Sequence, residues 1–294
     1  MTEGRIPFGG GETWYQVVGG GEEPGKLPLV CLHGGPGALH DYLEPLGALA
    51  QTGRRVIFYD QIGCGKSWLE AAPSKWTVEL YVDEVGAVRD ALGLDRIHLF
   101  GSSWGGMLAM EYALTKPAGL ASLILSSSPA SIPVWAEETN RLRQGLPADV
   151  RRVLDEHEAA GTIDSPEYEE ATMEFYKRHV CRVDPWPDYV NRTFAGLAEH
   201  PDVYVTMQGP NEFVITGTLK DWDITGRLGE IDVPTLITAG EHDEFTPRQA
   251  EALNHGIPGS ELVSFEDCSH MQFAEEPERY CELVAGFLDS VEAG

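Results

Sequence analysis

Gly101-Ser102-Ser103-Trp104-Gly105-Gly106 follows the apolar run Ile97-His98-Leu99-Phe100 and precedes the helix-like Met107-Leu108-Ala109-Met110-Glu111-Tyr112-Ala113. A G-x-S-x-G pattern therefore lies where a strand turns into a helix. Such a turn is tight enough to strain the serine backbone, and glycines two residues to either side are needed because a Cβ there would collide. Ser103 is the candidate nucleophile. Ser102 lacks the flanking glycine spacing.

Working outward, Leu27-Pro28-Leu29-Val30-Cys31-Leu32, Val56-Ile57-Phe58-Tyr59 and Leu120-Ala121-Ser122-Leu123-Ile124-Leu125 are short apolar runs that read as strands buried on both faces. Trp14-Tyr15-Gln16-Val17-Val18 alternates like a half-buried strand. Apolar positions 78, 81, 82, 85, 88 and 92 form a helical stripe that leads through Gly93 into the strand before Ser103. Strand and helix alternate in this way up to about residue 128, which argues for an α/β fold with a mostly parallel sheet covered on both sides. From Ser128 to Gly229 helical stretches such as Ala148 to Ala160 and Glu167 to Cys181 follow one another without a convincing strand. The strand pattern then returns at Val233 to Gly240 and Glu261 to Phe265, with a closing helix near Tyr280 to Val291. The reading is a core of residues 1–128 and 229–294, with a helical insertion at 129–228.

The chain has 294 residues, 47 of them acidic and 21 basic, for a formal net charge of −26. That charge excludes nucleic acid and anionic membranes as partners. No apolar run approaches a membrane span, and Met1 to Pro7 has neither the basic nor the apolar segment of a secretory signal, so a cytoplasmic protein is expected. The five cysteines form no C-x-x-C pair and are expected to be reduced. No metal-ligand pattern is present and no cofactor is expected. Gly65-Lys66-Ser67 resembles the tail of a phosphate-binding loop, but the required first glycine would fall on Asp60.

A serine needs a base, and the base needs an orienting acid. In α/β-hydrolases these follow in the order Ser, Asp or Glu, His. Here Asp243 lies just after the strand ending at Gly240, and His270 just after the strand ending at Phe265. Both would emerge at carboxyl ends of strands, on the edge that presents Ser103. His33-Gly34-Gly35-Pro36-Gly37 ends the strand at Leu32, which suits an oxyanion hole built from the backbone N–H groups of Gly35 and Trp104.

Together with Asp60-Gln61-x-Gly63-Cys64-Gly65-x-Ser67, Gly209-Pro210-Asn211-Glu212-Phe213, Gly217-Thr218-Leu219-x-Asp221-Trp222-Asp223 and Gly240-x-x-Asp243-Glu244-x-Thr246-Pro247, these segments resemble the proline iminopeptidase family of α/β-hydrolases. Ile62 departs from the arginine often found in that family's Asp-Gln-Arg-Gly. The resemblance implies an eight-stranded core under a helical cap, and release of an N-terminal proline or other small apolar residue from short peptides or amino acid amides. It also implies that Glu212 and Glu244 bind the free amino group of the substrate. Tyr204, Phe213 and Trp222 are candidate walls of a side-chain pocket. An esterase or lactonase with the same triad, and a hydrolase-fold protein that binds a ligand without turnover, are the alternatives.

Overall fold

The computed structural model describes residues 1–294. Its eight strands are β1 (Thr2–Phe8), β2 (Gly11–Val18), β3 (Leu29–Leu32), β4 (Val56–Tyr59), β5 (Ile97–Ser102), β6 (Leu120–Ser126), β7 (Thr235–Gly240) and β8 (Glu261–Phe265). They form one sheet in the order β1-β2-β4-β3-β5-β6-β7-β8. The pairs β1/β2 and β2/β4 are antiparallel, and every other neighbouring pair is parallel. The sheet is thus mostly parallel, as the buried apolar runs require.

The helices are α1 (Val78–Ala91), α2 (Trp104–Leu114), α3 (Ile132–Arg143), α4 (Ala148–Ala160), α5 (Pro166–His179), α6 (Asp188–Glu199), α7 (Asp202–Met207), α8 (Pro247–Gly256), α9 (Gln272–Glu275) and α10 (Pro277–Ala293). Strand side chains alternate between two faces, and both faces are covered. Val30, Leu32, Ile57, Tyr59, Leu123 and Leu125 join one core with residues of α1, α2 and α8. Leu29, Cys31, Val56, Phe58 and Ile124 join the other with α9, α10 and the 3₁₀ segment His40–Thr52.

All of α3 to α7 lie between β6 and β7, where no strand intervenes. This insertion has a small core of its own, with Leu154, Tyr168, Phe175 and Phe213. It is also tied to the body. Thr193 Oγ1 of α6 accepts from Tyr42 N–H at 3.0 Å, and Arg192 pairs with Asp41 at 2.7 Å. No helix is long and apolar enough to cross a membrane.

The first strand is absent from the sequence reading. In β1 only Ile6 is buried, and Gly4, Arg5 and Pro7 give it the composition of a loop. Its identity comes from the hairpin with β2, which turns through Gly9 and Gly10 at φ of 57° and 85°.

Candidate active site

Ser103 sits between β5 and α2 with φ 57° and ψ −123°, a left-handed conformation that costs free energy in any residue with a side chain. The flanking glycines make this turn sterically possible. A Cβ on Gly101 would overlap the carbonyl of Gly105, and one on Gly105 would overlap the carbonyl of Leu32. Neighbouring strands supply the anchor, since Ser103 N–H donates to the Ser126 carbonyl at 2.9 Å. The elbow expected from the sequence is present.

Asp243 and His270 are brought together from the loops after β7 and β8. His270 Nδ1 is 2.9 Å from Asp243 Oδ1. An ionised carboxylate only accepts, so Nδ1 carries the proton and Nε2 is left as the basic nitrogen. Asp243 is fixed on every side: Phe245 N–H donates to Oδ1 at 2.8 Å, and Ser127 Oγ and Gln272 Nε2 donate to Oδ2 at 2.5 and 3.2 Å. Neither Ser127 nor Gln272 was visible as a site residue in the sequence. Ser103 and His270 line one cavity.

The Gly35 N–H has no backbone acceptor in the chain, and Gly35 stands at φ 111°. Trp104 opens α2, so its N–H has no carbonyl within its own helix. Gly35, Ser103 and Trp104 line one small recess, whose volume is about 10 Å³. Gln61 links its two halves. Its Oε1 accepts from Trp104 Nε1 at 2.9 Å, and its Nε2 donates to the His33 carbonyl at 2.8 Å. Indole N–H only donates and a carbonyl only accepts, which fixes the amide orientation. Gln61 N–H also donates to His33 Nε2 at 2.9 Å, so Nδ1 is the protonated nitrogen and points its hydrogen at the Gly34 carbonyl, 3.0 Å away. Burial pushes the His33 pKa down to about 4, which keeps the ring neutral. Within the motif Asp60 to Ser67, Gln61 thus braces the recess formed by Gly35, Ser103 and Trp104. Ile62 lies in the core, its N–H bound to Glu84 Oε1 at 2.8 Å.

A cavity of about 770 Å³ lies over Ser103, between α5 on one side and α6 and α7 on the other. Both Glu212 and Glu244 line it. Burial holds each carboxyl above the usual carboxylate range, and for Glu244 the nearby Glu212 and Asp243 add repulsion. Glu212 Oε1 accepts from Tyr204 Oη at 2.6 Å. Glu244 Oε2 is buried with no hydrogen-bond partner. Two buried carboxyls, one with an orphaned oxygen, leave the cavity with a hydrogen-bonding need that the protein itself does not meet.

Two of the three aromatic residues read as pocket walls lie elsewhere. Tyr204 does line the cavity. Phe213 instead packs in the insertion's core, 5.2 Å from the Phe175 ring and 5.1 Å from the Arg143 guanidinium. Trp222 turns to α2, where its Nε1 donates to Glu111 at 2.8 Å. Neither lines the recess or the cavity. Trp135 lines the recess, edge-on to the His270 ring at 5.9 Å, and Tyr176 and Phe194 line the cavity. Nothing in the spacing of α3 distinguishes Trp135 from a packing residue.

A family profile described as alpha/beta hydrolase fold matches residues 28–277. Proline iminopeptidase from Thermoplasma volcanium is 42% identical over 288 residues, covering 98% of this chain and 96% of that protein. The chain belongs to the proline iminopeptidase family of α/β-hydrolases. Among solved structures similar to this family member, a proline iminopeptidase from Mycobacterium smegmatis has 47% identity and a TM-score of 0.93 over 99% of both chains. The crystal structure of VinJ has 44% identity and a TM-score of 0.95, again over 99% of both chains. These relatives favour the iminopeptidase family over the esterase and lactonase alternative.

Proposed function

We propose that this chain is a serine aminopeptidase that releases a small N-terminal residue from peptides or amino acid amides through an acyl-enzyme. Residues 129–228 act as a cap over the core formed by 1–128 and 229–294. Ser103 Oγ attacks the carbonyl carbon while His270 Nε2 takes its proton, and Asp243 holds the imidazole in that tautomer. The N–H groups of Gly35 and Trp104 receive the oxyanion. His270 then gives its proton to the departing amine, and water activated by the same ring frees the amino acid.

What carries the choice of substrate is the orphaned oxygen of Glu244, buried beside Glu212 in the cavity that also holds Ser103. A simple ester or lactone brings nothing to satisfy it, whereas an α-ammonium brings three donors and a charge. Five free cysteines, four of them buried, suit a reducing cytoplasmic setting.

The test compares prolyl and alanyl anilides with their N-acetylated forms in the wild type and in Ser103→Ala. Free-amine substrates are expected to turn over and acetylated ones to fail. In Ser103→Ala turnover should fall about 10⁴-fold or more. Equal rates on acetylated substrates would overturn the specificity, and a folded, active Ser103→Ala would overturn the mechanism.

A further inference from the structure

The space around Ser103 is unequal. On the oxyanion side the recess walled by Met107, Ile132 and Trp135 measures about 10 Å³, room for little more than one water. On the other side the cavity reaches about 770 Å³, within the range of roughly 300 to 1,000 Å³ that encloses drug-sized molecules. Glu212 lines both spaces, so an ammonium held there sits at their boundary. A single small residue beside Glu212 and Glu244 occupies a minor part of the larger space. Because the recess admits little more than one water, that remainder is the space left for the departing group.

The lining of that remainder is specific in its chemistry. Ile163 and Met173 on the α5 side face Phe194, Leu197 and Val205 of α6 and α7. No lysine or arginine lines the cavity, while Asp164 and Glu169 do, both exposed at its outer part. The departing half of a free dipeptide carries a carboxylate close to the scissile bond. Here that carboxylate would meet apolar walls and four acidic side chains, with no cation to pair with.

We infer that the preferred substrate is an aminoacyl amide small on its acyl side and carrying on its departing amine a bulky apolar group without a carboxylate. This rests on the aminopeptidase reading and narrows it. In the reaction the C–N bond breaks, water supplies the hydroxyl to the acyl carbon, and the amine leaves with the proton from His270. Each methylene that enters the apolar wall contributes about three- to fourfold to kcat/KM until the cavity is filled.

The experiment measures kcat/KM for alanine primary amide, its N-methyl, N-butyl and N-octyl amides, the dipeptide Ala-Leu and the capped Ala-Leu amide. The N-octyl amide is expected to exceed the N-methyl amide by more than tenfold, and Ala-Leu amide to exceed free Ala-Leu by at least tenfold. Leu197→Asp should flatten the dependence on chain length. Glu169→Lys should narrow the gap between Ala-Leu and its amide, a change that a merely structural role for Glu169 would not produce. Turnover of the short amides without a gain on lengthening, or equal rates for Ala-Leu and its amide, overturns this inference and leaves the aminopeptidase reading standing. Failure to cleave any alanine derivative overturns both.

Discussion

The sheet edge and the inserted helices build the two halves of the site by different means. On the sheet edge each candidate catalytic residue has a backbone anchor, Ser103 in its bond to the Ser126 carbonyl, Asp243 in Phe245 N–H and His270 in the His179 carbonyl, with Ser127 and Gln272 bracing Asp243 from the side. In the insertion the positioning is done by side chains. Tyr204 and Gln208 hold Glu212, Trp135 Nε1 donates to the Glu212 carbonyl at 3.1 Å, and Asn211 bonds the Tyr168 hydroxyl at 2.8 Å. We read this as a division of labour in which the sheet edge sets the rate of bond breaking, while Glu212 of the insertion joins Glu244 of the sheet edge in setting what is bound. The two halves meet where α5 ends, since His270 and Met271 N–H donate to the carbonyls of His179 and Val180 at 3.2 and 3.1 Å.

The largest effect should come from the sheet edge. Asp243→Asn keeps the shape but presents an amide to His270 Nδ1, favouring the wrong tautomer, and kcat should drop about 10⁴-fold with little change in KM. A drop confined to KM, seen in steady-state kinetics, would erase the division.

Next comes the carboxyl pair. Glu244→Gln removes the charge while keeping the volume, and KM for a free-amine substrate should rise about 10- to 100-fold with kcat much less affected. A pH profile sharpens the point. Because burial and the neighbouring Glu212 and Asp243 raise the Glu244 pKa, its protonated form persists above the usual carboxylate range and competes with ammonium binding. KM should therefore fall as pH rises through that range, then climb again as the substrate amine loses its proton near pH ~8. In Glu244→Gln the acidic limb should flatten, and an unchanged limb would assign it to another group.

The smallest effect tests the support behind the oxyanion side. Gln61→Ala breaks the bridge between Trp104 and His33, and kcat should fall about tenfold at nearly constant KM. Affinity for a tetrahedral boronate inhibitor should fall in parallel. Loss of thermal stability with both of these unchanged would reduce Gln61 to a packing role.

Much of the sheet edge was legible because strand ends of a parallel sheet collect on one side, so a serine after β5, an acid after β7 and a histidine after β8 emerge on the same edge. Local sequence also betrayed the elbow, where Gly101 answers to Gly105 four residues on, although Gly105 itself answers to Leu32 on the neighbouring strand. Other features depend on distant partners. The bridge from Gln61 to Trp104 spans 43 positions, and the bond from Ser127 to Asp243 spans 116. Phe213 and Trp222 were misplaced for a related reason: an aromatic ring in an inserted helical segment goes where helix packing leaves room. Strand β1 was hidden because an edge strand with one buried residue carries no apolar pattern.

The buried acidic pair bears on the end of the catalytic cycle as well as its beginning. On the proposed mechanism, hydrolysis of the acyl group gives the freed amino acid a carboxylate beside Ser103, in the cavity lined by Glu212 and Glu244. Its ammonium is still welcome there while its new anion is not. On that mechanism the charges that admit the precursor also drive out the spent amino acid, and accumulating free amino acid is expected to inhibit the enzyme poorly.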